Sequence, residues 1–153
     1  MTITRRDALA GLVALSAALA EQPSAIAEEP QQPILGPAVF HWDEMKFKPN
    51  AVGAQAPLCK QPTATLDQLE MHVSKLDPGK MSHPPHQHVN EELIILREGT
   101  CETLSNGKWV RVEAGSVVFN ASNSLHGFRN IGTTMAVYHV INWSPNKEMA
   151  GKK

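Results

Sequence analysis

The chain has 153 residues, enough for one domain of ordinary size and too short for two. Apolar residues make up 42% of it and charged residues 19%, which excludes a disordered chain in favour of a globular one. With 14 basic and 15 acidic residues the net charge is −1, and no run of like charge stands out. A dense basic face that could displace counterions from phosphate is missing, so no nucleic-acid partner is expected.

Residues 1–27 read as an address rather than as fold. Thr4-Arg5-Arg6-Asp7 carries an arginine pair, and the apolar stretch Ala8 to Ala20 follows it. That stretch is shorter than the roughly 20 residues a bilayer span needs. Ala25-Ile26-Ala27 then offers a small-x-small cleavage site. This order resembles the signals of the bacterial twin-arginine export route; an ordinary secretory signal or an uncleaved anchor is the alternative. The resemblance implies a periplasmic or secreted protein, exported already folded, with no stable membrane span in the mature chain. A metal could then be loaded in the cytoplasm. Cys59 and Cys101 could pair in an oxidising compartment, but folding before export favours two small buried hydrophobes.

Residues 28–65 are expected to form an N-terminal extension. Its start, Glu28 to Pro37, is rich in Pro and Gln and reads as an extended lead-in. Ala38 to Trp42 is β-prone, and 43–65 reads as loop with one short strand at most. Leu69, Met71 and Val73 alternate with Glu70, His72 and Ser74, a half-buried strand that ends at the turn Asp77-Pro78-Gly79. Glu92 to Leu96 is the next strand, ending at Glu98-Gly99. Thr100 to Leu104 and Lys108 to Val112 flank Asn106-Gly107, a strong hairpin signal. Val117 to Phe119, His126 to Arg129 and Met135 to Trp143 complete the series, separated by turns at Asn120–Ser124 and Asn130–Thr133. Residues 144–153 are left as a tail. No amphipathic helix is visible, and short strands at such spacing predict an all-β sandwich or barrel over 66–143.

The chemistry concentrates in His83-Pro84-Pro85-His86-Gln87-His88, with Glu91 and Glu92 beyond it. In an extended chain residues of the same parity share a face, so His86, His88 and Glu92 converge while Glu91 points away. A fourth ligand must come from another strand, and His126 follows a tight turn. Three imidazoles and a carboxylate make a borderline site for one divalent transition metal, whether Mn, Fe, Co, Ni, Cu or Zn. His83 reads as a loop residue near the mouth, and it could also replace His86. His41, His72 and His139 read as surface or satisfied core histidines.

These residues resemble a known family. Gly79, His86, His88, Glu92 and Gly99 stand at the spacing of the first conserved motif of the cupin superfamily. Gly115, the turn Ala121-Ser122-Asn123, His126 and Asn130 resemble its second. One extra residue separates Gly79 from His86, and Ala121 and Asn123 stand where the second turn usually has Pro and Gly. The resemblance implies a single jelly-roll barrel, a metal on His86, His88, Glu92 and His126, and a homodimer.

Continuing the parity, Ile94, Leu96 and Phe128 face the interior, which makes the cavity mostly apolar and suits a small or aromatic organic substrate. Arg97 and Arg129 fall on the outside. Glu91, His83 and Tyr138 are the proton-transfer candidates nearest the mouth. Three functions follow: a metal-dependent oxidoreductase of dioxygenase type, a non-redox metal-dependent lyase or isomerase, and a non-catalytic small-ligand-binding protein.

Overall fold

Alternating apolar and polar residues between Gly, Pro and Asn turns fold here as strands, each needing a neighbour to satisfy its backbone. The computed structural model describes residues 32–145, so the expected signal segment and most of the C-terminal tail lie outside the described residues. The strands are β1 (Lys48–Asn50), β2 (Gly53–Gln61), β3 (Leu66–Leu76), β4 (Glu91–Glu98), β5 (Thr100–Ser105), β6 (Lys108–Glu113), β7 (Val117–Asn120), β8 (Gly127–Asn130) and β9 (Ala136–Pro145). Among the described residues there is no α-helix, only one 3-10 turn at Trp42–Glu44, and no helix long and apolar enough to cross a membrane.

A six-stranded sheet in the order β1-β2-β3-β9-β4-β7 faces a three-stranded sheet in the order β6-β5-β8. Every pairing is antiparallel, as a jelly-roll barrel requires. Asn106 and Gly107 both take positive φ, 49° and 75°, which is the backbone of a two-residue hairpin between β5 and β6. The core between the sheets contains Leu76, Ile94, Leu96, Cys101, Val118, Phe128, Tyr138 and Val140. Phe128 and Tyr138 meet at its centre with ring centroids 4.7 Å apart.

Three expectations change. Residues 43–65 hold two strands rather than loop. Small residues such as Ala54 and the fully buried Ala56 give β2 little hydrophobic contrast, and its proline, Pro57, sits where the β2–β3 register shifts. Ala38 to Trp42 forms no strand. The Trp42 ring instead lies 3.6 Å from the Arg97 guanidinium and beside His139. The third change concerns β3, whose period is as expected and whose orientation is reversed. Ser74 pairs with Tyr138 and Leu76 with Ala136, so Glu70, His72 and Ser74 share the inward face with Leu76. Leu69, Met71 and Val73 lie on the opposite face, where Val73 is nonetheless fully buried, as its place in the apolar series suggested, and Leu69 and Met71 are half-buried.

Candidate metal centre

Backbone pairing brings the two histidine segments together before any side chain is considered. Residues 79–88 run antiparallel beside 126–130. Gly79 N–H donates to Asn130 O at 3.1 Å, and Ser82 N–H to Phe128 O at 3.0 Å. His86 and His126 then exchange both backbone bonds at 2.9 Å. Between these contacts His83, Pro84 and Pro85 oppose Gly127 alone, so the longer first segment is absorbed as a bulge. A Cβ on Gly127 would come within 3.4 Å of the Pro85 ring and 3.3 Å of Trp109, so the small residue is what admits it.

The turn before His126 is fixed in the same way. Asn123 takes φ 58°, the left-handed conformation that asparagine tolerates better than most residues, and its N–H donates to His88 O at 2.7 Å. The segment from His86 to Glu92 bends at Val89-Asn90 rather than running as one strand, so parity alone does not carry the convergence. Glu92 arrives instead on the inner face of β4.

The side chains meet closely. Ligand-capable atoms of His86, His88 and His126 lie within 4.8 Å of one another. Glu92 Oε2 is 3.8 Å from His88 Nε2, and Glu92 Oε1 is 3.8 Å from His126 Nε2. Such separations are too long for hydrogen bonds and shorter than two metal–nitrogen bonds of about 2.0–2.1 Å. His88 Nδ1 sits 2.9 Å from Asn90 O and His126 Nδ1 2.8 Å from Ser124 O. Donation to those carbonyls places the proton on Nδ1 and leaves the Nε2 lone pair free. His126 is 3% exposed and its buried Nε2 has no hydrogen-bond partner; His86 Nδ1 is also buried and unpartnered. Buried nitrogens without partners are costly, and a cation among them removes the cost. Burial, then repulsion from the imidazoles of His83, His126 and His88, holds His86 below the ordinary imidazole range, against the pull of Glu92. A neutral imidazole is the form that binds metal.

A cavity of about 140 Å³ opens beside these residues, with His83, Glu92 and His126 on its wall. Ile94 and Phe128 line it as expected, whereas Leu96 lies in the core. The lining is more polar than the sequence suggested, because the inverted β3 contributes His72 and Ser74, and Ser82 and Tyr138 add hydroxyls. Burial pushes the Tyr138 phenol up to about 12, with the Ser74 and Ser82 hydroxyls pulling the other way, so it is a donor at neutral pH.

Of the remaining candidates His83 and Tyr138 border the cavity, and Glu91 does not line it. His83 packs edge-on against His86 with centroids 4.1 Å apart, and burial lowers its pKa. Glu91 lies on the opposite face of β4 and accepts a bond from Trp143 Nε1 at 3.1 Å. Arg97 is exposed, while Arg129 donates through Nε to Glu102 at 2.8 Å and lies over the Trp109 ring. His41 is exposed and His139 half-buried against Trp42. Cys59 and Cys101 are both free thiols.

Asn120 escaped sequence reasoning. It stands opposite Glu92 in the β4–β7 register, is 4% exposed, and its Nδ2 donates to Glu92 Oε1 at 2.9 Å. The only sequence signal was a polar residue ending an apolar strand. On the other side of Glu92 the register continues through Asn142 to Glu70, one polar row across the inner face of the large sheet.

Residues 72–142 match the family model described as Cupin domain. No curated protein sequence matches the chain. Among solved structures, KdgF from Halomonas sp. aligns with 74% of this chain and 99% of its own, at 16% identity and a TM-score of 0.62. The polyketide cyclase RemF from Streptomyces resistomycificus aligns with 71% and 80%, at 19% identity and a TM-score of 0.58. A structure described as a predicted oxalate decarboxylase from Thermotoga maritima aligns with 70% and 99%, at 20% identity and a TM-score of 0.56. Identities this low establish a shared fold. The domain match spans residues 72–142, and these structures share the barrel fold of that part of the chain.

Proposed function

We propose that His86, His88, Glu92 and His126 hold one divalent transition metal and that the protein is a metal-dependent oxidoreductase of dioxygenase type, acting on a small organic molecule. One observation carries this reading: unpartnered imidazole nitrogens and a carboxylate converge on the wall of a cavity of about 140 Å³. When bound, such a metal supplies Lewis-acid chemistry and, where redox-active, electron transfer to oxygen or substrate. The chain's own contribution is to fix the imidazole tautomers through Asn90 O and Ser124 O, orient Glu92 through Asn120, and present Ile94 and Phe128 as an apolar wall. A cavity of this volume suits a small substrate.

The hydroxyls of Ser74, Ser82 and Tyr138 on the same cavity favour a second reading, a metal-dependent lyase or isomerase that needs no oxygen. Oxygen uptake with a panel of small organic acids and phenols separates the two. Substrate-dependent uptake supports the first, anaerobic turnover the second, and retention of a ligand without turnover refutes both.

The arginine pair, apolar stretch and small-x-small site of residues 1–27 support export to the periplasm or beyond it. N-terminal sequencing of protein recovered from the native compartment tests this, with a start at Glu28 expected. A homodimer is part of the same proposal, and sedimentation of the full chain tests it.

A further inference from the structure

The orientation of β3 puts His72 on the cavity wall, with Glu70 beside it on the same face of the strand. Glu70 Oε1 lies 2.8 Å from His72 Nδ1, and both side chains are largely buried. His72 lines the cavity that Glu92 and His126 also line. Its neighbours on the inner face are set by register. His72 stands opposite Val140, and Glu70 stands opposite Asn142, which in turn stands opposite Glu92. Strands β3 and β4 flank β9, so the backbone of Glu70 lies about 10 Å from that of Glu92, two strand spacings of roughly 4.8 Å each.

A carboxylate on Nδ1 fixes an imidazole as the Nδ1–H tautomer and orients it, leaving Nε2 as a lone-pair base. Among the described residues no protein group bonds His72 Nε2. Nδ1 is thus committed to Glu70, while the ring, 15% exposed, borders the cavity.

We propose that Glu70 and His72 form a proton-accepting dyad for the molecule bound in the cavity, with His72 Nε2 as the base and Glu70 as the positioning residue. The ligand class is a small 2-oxo acid or a comparable carbon acid, compact enough for about 140 Å³ and carrying oxygen donors suited to a borderline cation. In the step a C–H bond next to the carbonyl breaks and its electron pair delocalises onto the carbonyl oxygen. The proton moves to Nε2, giving an imidazolium paired with the Glu70 carboxylate. Return of the proton restores the ligand, so no oxidant or reductant is consumed. The inference rests on the metal-site reading above and is compatible with either reaction class.

The test uses full-length protein loaded with zinc in D₂O, with pyruvate as the probe. One readout is the ¹⁵N spectrum of histidine-labelled protein, and the other is loss of the pyruvate methyl signal through deuterium exchange. The Nδ1–H tautomer of His72 is expected, with its Nε2 resonance moving when pyruvate is added. His72→Gln should slow exchange at least about 100-fold, the usual contribution of a general base, and Glu70→Gln about 10-fold or more. Zinc content and pyruvate affinity should stay within about twofold, as for a group that acts in the proton-transfer step alone. An Nε2–H tautomer in the unaltered protein overturns the dyad whatever the metal content. So do an Nε2 signal indifferent to pyruvate, exchange no faster than with free zinc, and unchanged exchange in His72→Gln. Zinc retained with a silent His72 refutes the dyad alone, whereas loss of zinc binding from the unaltered protein refutes the metal reading.

Discussion

His86 and His126 are joined through their backbones, each N–H donating to the other's carbonyl oxygen at 2.9 Å. Their rings stand 4.4 Å apart in consequence. The first histidine segment and the turn before β8 are therefore one structural unit, and the positions of the imidazoles are set by strand-type pairing rather than by loop conformation. Sites built on paired backbone hold their geometry better than sites on free loops.

Asn120 extends that rigidity to the carboxylate. Replacing it by Ala removes the donor to Glu92 Oε1 and should weaken metal affinity about 10- to 100-fold, as loss of a group that orients a ligand typically does. Competition with a chelator measures this, with circular dichroism confirming the fold. Unchanged affinity would show that Glu92 needs no such support.

The metal-free protein should lose stability in mild acid. His83 and His86 are held below their ordinary value of 6.5, chiefly by burial. Their folded-state pKa values lie below the unfolded ones, so the unfolded chain takes up protons first as pH falls. The stabilisation is complete above about pH 6.5 and is lost as pH falls through that value toward the folded-state ones. Thermal midpoints of chelator-treated protein should accordingly drop between about pH 7 and pH 5. A midpoint that rises over this range contradicts the assignment.

Phe128 anchors the core against Tyr138 and is 2% exposed. Phe128→Ala should cost about 3–5 kcal/mol through lost burial and the cavity left behind. Urea unfolding measures it, and a cost under about 1 kcal/mol would mean that the core collapses around the gap.

The cysteines should differ in reactivity. Burial pushes the Cys101 thiol up to about 12, and that residue is fully buried, while Cys59 is only half-buried. A disulfide-exchange reagent at mildly alkaline pH should modify Cys59 in the native protein and reach Cys101 only after unfolding. Two thiols reacting together would place Cys101 nearer the surface than described.

Most of the barrel was legible in the sequence. Asn106-Gly107 announced its hairpin because few residue pairs tolerate two positive φ values, and β4 to β9 lie within a few residues of their expected spans. Motif spacing and parity brought His86, His88, Glu92 and His126 to notice, and the structure gathers them. The inner wall was not legible. On β3 the polar residues Glu70, His72 and Ser74 face inward, because this barrel encloses a cavity rather than a dry core at that point. Hydropathy finds the period of a strand and assumes that its polar side meets water. β2 was missed for a related reason, since its buried residue is an alanine and its proline is accommodated at a register shift. Asn120 could be recognised only once strand pairing set it opposite Glu92.

The central claim is that the three imidazoles and Glu92 hold one metal ion. Elemental analysis of the protein recovered from its native compartment, beside His126→Ala, tests it most directly. About one equivalent of a divalent transition metal per chain is expected for the unaltered protein and almost none for the variant, since a ligand buried among the others has no substitute. Full metal content in His126→Ala would contradict the site, as would an unaltered protein that carries no metal and takes up none.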